Sequence, residues 1–305
     1  MRLLTLALLL AACTEDPSEG PDPDAAAVLD AAALDAAALD AAVLDAAVLD
    51  AAAPDAAPPL GGADRPALIF TPAGDPPAEG WPLLFVLHGF RANPEFMRRQ
   101  FPFDRRINAH QWVVVYPQGG TDADGFLYWQ AHERVDAVGD DVPYLLTLAD
   151  QVAARSPIDL QHFFVIGHSN GGAMAQSMAC YAADRIRGFA NISGHTIDPA
   201  RCTPARPITG LYIGGDTDPA YTDPPPGIEA SATWWAETIL GCFTALEDAP
   251  SDFTLAAAGA ETHILRWRGC ANDTTAQRWR MEGVGHGILA NDAFLDAVHT
   301  ALTSP

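Results

Sequence analysis

The chain has 305 residues, of which 39 are acidic and 17 are basic, so its formal net charge is −22. This acidic excess argues against a nucleic-acid partner, because phosphate binding depends on clustered positive charge. The length fits either two small domains or one larger α/β domain beside a non-globular segment. The pattern along the chain favours the second arrangement.

The first thirteen residues have the pattern of an export signal. Residues 1–13, MRLLTLALLLAAC, contain one Arg, a leucine-rich apolar stretch and then small residues, and this stretch is too short for a stable membrane span. Leu10 to Cys13 is similar to the lipobox of bacterial lipoproteins, which implies cleavage before Cys13 and a lipid on its sulfur. A plain secretory signal is the alternative. We expect an exported protein, in the cell envelope or extracellular, that meets a membrane only through a lipid on Cys13.

A low-complexity acidic segment follows, from residue 14 to residue 65. Between residues 29 and 58 it repeats every five residues as LDAAA, LDAAV and related units, with an Asp in each. A five-residue period rotates the leucines around a helix, so no continuous apolar face forms. We therefore expect an acidic tether, partly helical through its alanines, that holds a domain away from a lipid surface.

Residues 66–305 have the alternating pattern of one α/β domain. Short runs of β-branched and aromatic residues predict strands at 83–87, 112–116, 163–166, 189–192 and 208–213. Helical composition predicts helices at 140–155, 172–183 and 231–240, with Asp140 or Asp141 as the N-cap of the first. Continuous apolar runs suit strands that are buried on both faces. The predicted fold is a single domain with a mostly parallel central sheet and helices on both faces.

Four cysteines remain in this domain: Cys180, Cys202, Cys242 and Cys270. An even number of cysteines in an exported chain indicates two disulfides, for which three connectivities exist and nearest-neighbour pairing is the simplest. A zinc site is the alternative, but the spacings of 22, 40 and 28 residues are wide and no CxxC pair occurs. We therefore expect disulfides and no metal.

The stretch FFVIGHSNGGAMA, residues 163–175, places a serine between glycines where a predicted strand meets a predicted helix. Gly167, Ser169 and Gly171 match the G-x-S-x-G nucleophile elbow in the context that this motif requires. The glycines leave room beside a strained turn, and the helix N-terminus behind Ser169 favours developing negative charge. Ser169 is the candidate nucleophile, with a plain glycine turn as the alternative.

A serine nucleophile needs a general base to take its proton. His286 is the candidate base, because it lies in a loop between the strand-like residues 277–281 and a closing helix at 292–302. Two other histidines are less suitable. His263 lies inside a strand-like run and His299 inside the last helix, where packing or surface roles are expected.

The acid that orients the base should lie at the end of a strand between the serine and the histidine in sequence. The segment IGGDTD after the strand at 208–213 contains both Asp216 and Asp218. Asp218 is preferred, since Pro219 follows it on the loop, whereas Asp216 is suited to capping the turn. The sequence leaves the choice between the two open.

The oxyanion of an acyl-transfer reaction needs hydrogen-bond donors. The first long predicted strand ends in His88 and Gly89, a pair that hydrolases use to turn a backbone N–H toward the site. The N–H groups of Phe90 and Asn170 form the predicted oxyanion hole, and His88 is expected to be structural. Trp129, after a glycine-rich loop, is a candidate for stacking on a substrate group, with packing inside the domain as the alternative.

These features together resemble a known family. In chain order, the segments that carry the resemblance are LLFVLHGF, VVVYPQG, YWQ, DDVPYLLTLADQ, SPIDLQHFFVIGHSNGGAMA, IGGDTDPAY, TWWAETILGC and GVGHG. They are similar to secreted poly(3-hydroxybutyrate) depolymerase-like and feruloyl esterase-like serine hydrolases, over most of residues 66–305. The resemblance implies an α/β-hydrolase fold and carboxylic ester hydrolysis by Ser169, Asp218 and His286, without a cofactor.

The same resemblance favours the pairing of Cys180 with Cys202 and of Cys242 with Cys270. The chain departs from the family pattern in a shortened opening strand pair at 67–70 and in the lack of a polymer-binding module after the triad. The expected partner is therefore a small-molecule or oligomeric ester. A serine peptidase, and a non-catalytic lipoprotein of this fold that only binds a ligand in the cell envelope, are the alternatives.

Overall fold

In the computed structural model of the protein, the described residues are 59–131, 141–222 and 227–304. The predicted signal peptide with Cys13, residues 14–58 of the predicted tether, and Asp140 lie outside these ranges. Among the described residues, no helix is both long enough and apolar enough to cross a bilayer.

In the described ranges, nine strands form one sheet and two more form a separate hairpin. The strands are β1 Ala67–Phe70, β2 Trp81–Leu87, β3 Val113–Pro117, β4 Gly120–Thr121, β5 Leu127–Tyr128, β6 Ile158–His168, β7 Gly188–Ile192, β8 Thr209–Gly215, β9 Thr244–Glu247, β10 Thr262–Arg268 and β11 Ala276–Met281. The hairpin consists of β4 and β5. Every strand that the sequence predicts is present, with ends that differ by up to five residues.

The strand order of the main sheet is β1-β3-β2-β6-β7-β8-β11-β10-β9. The six strands from β3 to β11 in this order pair in parallel, and β1, β10 and β9 add antiparallel pairs at the two edges. The carboxyl ends of the parallel strands meet at one edge of the sheet, where ligands bind in open α/β folds. The loops after β2, β6, β8 and β11 therefore converge at this edge.

Seven α-helices lie in the described ranges. They are α1 Pro94–Gln100, α2 Ile107–His110, α3 Asp141–Ala153, α4 Asn170–Tyr181, α5 Pro219–Thr222, α6 Ile228–Trp234 and α7 Asp292–Thr303. Short 3-10 turns occur at Phe103–Arg106, Pro199–Arg201 and Ala271–Asp273, and a π-helical turn occurs at Trp235–Ile239.

The predicted helix at 231–240 is present, but it begins three residues earlier and its second half is π-helical. It consists of α6, which begins at Ile228, and the π-helical turn that follows. Trp235 explains the change, because its indole is fully buried and its Nε1 donates to the carbonyl of Ile208 at 3.1 Å. Tertiary packing of this side chain overrides the helical period that the sequence alone suggests.

The hydrophobic core forms a layer on each face of the main sheet. Leu145 of α3, Met178 of α4 and Trp235 pack in one layer, while Met97 of α1 and Phe294 of α7 pack in the other. Each of these side chains is fully buried, and burial of one such side chain contributes about 1.5–3 kcal/mol. The predicted architecture, a mostly parallel sheet with helices on both faces, is confirmed.

Residues 59–65, which the sequence places in the tether, pack against the domain. Leu60 is buried in the core, and the amide N of Ala67 donates to its carbonyl. The guanidinium of Arg65 stacks on Tyr144 and pairs with Asp141 at 2.7 Å. The packed part of the chain thus begins before residue 66.

Two disulfides join Cys180 to Cys202 and Cys242 to Cys270. The first links the end of α4 to the segment after Pro199–Arg201. The second links the segment after the π-helical turn to the end of β10. Both bonds close loops of 20 to 30 residues, for which the chain-entropy model gives about 3 kcal/mol of stabilisation each.

Candidate active site

Ser169 lies in a strained turn between β6 and α4. Its backbone has φ 55° and ψ −123°, and its N–H donates to the carbonyl of Ile192 on the neighbouring strand β7 at 2.8 Å. A positive φ is unfavourable for a residue with a Cβ and persists only where the surroundings enforce it. Gly172 and Ala173 donate to the Ser169 carbonyl, so the turn leads directly into the helix.

The two glycines of the motif permit this turn because they let neighbouring main-chain atoms come close to them. A Cβ on Gly167 would lie 2.1 Å from the carbonyl oxygen of Gly171, and a Cβ on Gly171 would lie 2.4 Å from that of Leu87. Both distances are far shorter than a van der Waals contact. Helix α4 can therefore start directly against the ends of β6 and β2, which brings Ser169 to the carboxyl edge of the sheet.

Asp218 and His286 form a hydrogen-bonded pair at the same edge. Asp218 Oδ2 lies 2.9 Å from His286 Nδ1, and Asp218 Oδ1 accepts from the N–H of Ala220 at 3.0 Å. The carboxylate is only 2% exposed, whereas the imidazole is 45% exposed. Burial acts to raise the pKa of Asp218, but the hydrogen bond and charge of His286, with the Ala220 N–H, hold that pKa below its usual value. The pair therefore keeps a carboxylate on Nδ1 and leaves Nε2 for proton transfer.

Asp216, the alternative acid, is engaged elsewhere. Its carboxylate pairs with Arg280 at 2.9 Å and accepts from the N–H of Gly283 at 2.8 Å. These contacts join the turn after β8 to the turn after β11. The structure thus places Asp218 on the histidine and gives Asp216 a role in holding the two loops together.

The structure brings the predicted oxyanion-hole segments next to Ser169. A Cβ on Gly89 would lie 3.3 Å from Ser169 Cβ, so the loop after β2 touches Ser169. Among the described residues, the N–H groups of Phe90 and Asn170 have no hydrogen-bond acceptor. Both are therefore free to donate to a ligand at this edge. No hydrogen bond joins Ser169 Oγ to His286 within the described ranges; catalytic hydrogen bonds often tighten only with substrate bound.

Trp129 does not line the site, so its predicted role in substrate stacking is wrong. Its side chain is 1% exposed and lies in the core. Its Nε1 donates to the carbonyl of His88 at 2.9 Å, and its main-chain N–H and carbonyl pair with the side-chain amide of Asn170. Trp129 is therefore a buried residue that holds the loop after β2 against the start of α4.

His88 has the structural role that the sequence suggests. Its Nε2 accepts from the N–H of Gly119 at 2.9 Å, and its Nδ1 lies 2.8 Å from the carbonyl of Gly89. Desolvation by burial lowers the pKa of His88 to about 4. The ring is therefore neutral, with its proton on Nδ1, and it fixes the turn that aims the Phe90 N–H.

His168 makes a contact with the His286 loop that the sequence did not reveal. Its Nε2 lies 2.8 Å from the main-chain oxygen of His286. Burial, and then the nearby His286, lower the pKa of His168 to about 3, so the ring is neutral and Nε2 donates its proton to that carbonyl. This bond ties the base-bearing loop to the residue directly before Ser169. The variable position of the elbow motif carries no signal for such a contact, which spans 118 residues of chain.

The neutral buried histidines predict that acid destabilises the fold. In the unfolded chain His88 and His168 take up protons near pH 6.5. In the folded chain His88 is protonated only near pH 4 and His168 only near pH 3. The unfolded state thus binds more protons between these values, so stability falls as the pH falls. From pH 7 to pH 5 we expect a loss of about 3–4 kcal/mol from these two groups. Urea denaturation at both pH values measures it, and an equal free energy of unfolding would contradict the assignment.

No protein-family model matches the chain. Among curated proteins it is 32% identical over 146 residues to a provisionally named esterase, NocK, of Nocardia uniformis subsp. tsuyamanensis, which covers 46% of this chain and 41% of that protein. It is 25% identical over 194 residues to a poly(3-hydroxyoctanoate) depolymerase of Pseudomonas fluorescens, covering 56% of this chain and 65% of that protein. The chain spans less than two thirds of the length of these relatives.

A solved structure extends the comparison to the fold. The acetyl xylan esterase from Aspergillus awamori matches with a TM-score of 0.54 at 15% identity, covering 79% of this chain and 95% of that chain. At this identity the likeness concerns the fold alone. The chain has the α/β-hydrolase fold. Its sequence resemblance to polyhydroxybutyrate depolymerase-like and feruloyl esterase-like serine hydrolases is confirmed, since the similar proteins are named as esterases, a feruloyl esterase among them, and as a depolymerase.

Proposed function

We propose that the chain is an exported serine hydrolase that cleaves carboxylic esters through an acyl-enzyme. The observation that carries the proposal is the strained elbow at Ser169, at the same sheet edge as the hydrogen-bonded pair of Asp218 and His286. The names of the similar proteins, which are esterases and a depolymerase, support ester hydrolysis.

The first half of the reaction transfers the acyl group to the serine. His286 Nε2 takes the Ser169 hydroxyl proton as Oγ attacks the ester carbonyl, and Asp218 stabilises the resulting imidazolium through Nδ1. The carbonyl oxygen becomes an oxyanion, which the N–H groups of Phe90 and Asn170 bind. Loss of one such donor typically costs about 10²–10³ in rate.

The second half releases the acid. The carbon–oxygen bond to the alcohol breaks, and the alcohol leaves with the proton held by His286. Water then attacks the acyl-enzyme, His286 takes a proton from that water, and Ser169 is regenerated as the acid departs. Each proton transfer uses the same imidazole, whose orientation is set by Asp218 on one side and by the loop contact of His168 on the other.

The proposal includes export. Two disulfides suit an oxidising compartment outside the cytoplasm, which agrees with the signal-like residues 1–13. We also propose lipidation of Cys13, with the acidic tether holding the enzyme off the lipid surface. Mass spectrometry of the N-terminal peptide, compared between the native protein and Cys13→Ser, tests the anchor, and an unmodified native N-terminus would refute it.

A substrate panel tests the reaction class. Purified full-length protein is assayed with p-nitrophenyl acetate and butyrate, methyl ferulate, acetylated xylan, soluble hydroxybutyrate oligomers and a peptide p-nitroanilide. We expect hydrolysis of the short p-nitrophenyl esters and of at least one natural ester, because the site offers a nucleophile and two oxyanion donors. Cleavage of the peptide alone would identify a peptidase. No turnover of any substrate by correctly folded protein would identify a binding protein.

A further inference from the structure

Three residues beside the oxyanion hole form an exposed surface that the mechanism does not use. Phe90 and Phe126 are 47% and 36% exposed, and their rings contact edge to face with centroids 6.1 Å apart. The guanidinium of Arg91 lies 3.9 Å from the centroid of Phe126 and 5.2 Å from that of Phe90. We refer to these three side chains as the Phe–Arg platform.

The platform adjoins the reacting atoms. Phe90 supplies a predicted oxyanion donor and follows Gly89, whose backbone touches Ser169. The hairpin β4–β5, which carries Phe126 just before β5, is held to the same region by the N–H of Arg91, which donates to Leu127 at 2.8 Å. A ligand whose carbonyl enters the hole therefore passes next to the platform.

Backbone hydrogen bonds and a strained turn hold the platform in place. The hairpin strands pair at Gly120–Thr121 and Leu127–Tyr128, and the Asp122 side chain accepts the N–H groups of Asp124 and Phe126 across the turn. Arg91 has a φ of 64°, an unfavourable conformation for a residue with a Cβ. Such strain persists where surrounding contacts enforce it and is concentrated at ligand sites.

The charge of Arg91 is not neutralised within the part of the chain that the structure describes. Arg65 and Arg98 also stack on aromatic rings, but each has a carboxylate partner, Asp141 and Asp104 respectively. Arg91 forms no ion pair among the described residues. Stacking occupies one face of a guanidinium and leaves its N–H groups directed outward in the plane. The platform thus combines apolar contact area with an available cation, in a protein of net charge −22.

We propose that the Phe–Arg platform selects esters whose acyl chain is apolar next to the carbonyl and ends in a free carboxylate. The acyl chain lies on Phe90 and Phe126, and the carboxylate pairs with Arg91. The platform contacts the acyl part of the ester and not its alcohol part. The alcohol must leave toward His286, which protonates it, whereas the carbonyl oxygen faces the N–H of Phe90, next to the platform. Half-esters of dicarboxylic acids have this chemistry. The inference rests on the proposed esterase function.

A matched pair of substrates tests the proposal: the p-nitrophenyl ester of adipic acid with its second carboxyl free, and the same compound with that carboxyl methylated. The ratio of kcat/KM for the anionic ester to that for the neutral ester is measured in wild type, Arg91→Gln and Arg91→Lys. We expect Arg91→Gln to lower this ratio by about 3- to 10-fold, since a partly exposed ion pair contributes modestly. Arg91→Lys should retain part of the preference, and 0.5 M salt should reduce it in wild type.

The matched control is Arg99→Gln. Arg99 is another exposed arginine stacked on a ring, that of Phe96 on α1, and it belongs to no part of the proposed site. The Arg99→Gln variant should leave the ratio of kcat/KM for the anionic ester to that for the neutral ester unchanged. A ratio that Arg91→Gln does not alter in folded, active enzyme would overturn the proposal. Failure of wild type to hydrolyse either adipate ester while it hydrolyses p-nitrophenyl butyrate would also overturn the platform proposal. Failure on every ester of the substrate panel would instead refute the esterase function itself, so the two outcomes are distinguishable.

Discussion

Replacement of Ser169 by alanine is expected to lower kcat/KM for the best ester by about 10⁴-fold or more while leaving the fold intact. The loss is large because nucleophile, base and acid act as one unit, and removal of any member leaves only binding and the oxyanion hole. The fold should survive because alanine keeps the Cβ, so the strained backbone at φ 55° is no worse. Among the described residues, Ser169 Oγ makes no hydrogen bond that the change would break.

Ser177→Ala is a matched control for this variant. Ser177 lies further along the same helix, is fully buried, and donates its hydroxyl to the carbonyl of Ala173. Its replacement removes a hydroxyl without touching the reacting atoms, so activity should stay near that of wild type. A fluorophosphonate probe should label wild type and Ser177→Ala, but not Ser169→Ala.

The double variant Ser169→Ala with His286→Ala gives a further check. Each single change should cost a similar factor, and the double variant should be little worse than either, because a base without its nucleophile has nothing to activate. Folded Ser169→Ala that keeps more than about a tenth of the activity, a loss below ~1.4 kcal/mol in transition-state stabilisation, would show that another residue is the nucleophile.

Replacement of Asp218 by asparagine is expected to lower kcat by about 10³- to 10⁴-fold, whereas Asp216→Asn should keep activity within a few-fold of wild type. The asparagine is similar in size but cannot stabilise the imidazolium, and it permits the wrong tautomer of His286. Among the described residues, Asp216 makes no hydrogen bond to His286; its carboxylate instead pairs with Arg280 and accepts from the N–H of Gly283. Its loss should therefore lower stability more than catalysis.

Steady-state kinetics of the two asparagine variants, with urea denaturation of each, separates these effects. Because Asp218 is almost fully buried and is hydrogen-bonded to His286 and to the N–H of Ala220, its variant must be shown to be folded before its activity is compared. The two variants are matched in chemistry and lie two residues apart. If Asp216→Asn were the more damaging to kcat, the acid would be assigned to the wrong residue.

Much of the fold was predictable because its signals are local. The runs 83–87, 163–166 and 208–213 are continuous and apolar, and all three are central strands of the sheet. Strand β6 begins at Ile158, five residues earlier than predicted. The sequence did not indicate these five residues, because they are partly or fully exposed and form no apolar run. The elbow was also predictable, since its glycines are needed within a few residues of Ser169.

The sequence by itself determined the α/β architecture, the strained turn at Ser169 and the set of candidate residues for its base and acid, because strand periodicity and turn chemistry depend on neighbouring residues. Only the tertiary structure decided between Asp218 and Asp216 as the partner of His286, since both end the same strand and only packing shows which carboxylate reaches the imidazole. Likewise, only packing showed that Trp129 braces the oxyanion loop from inside the core and that His168 holds the His286 loop. These contacts join segments tens of residues apart, so no local pattern in the chain records them.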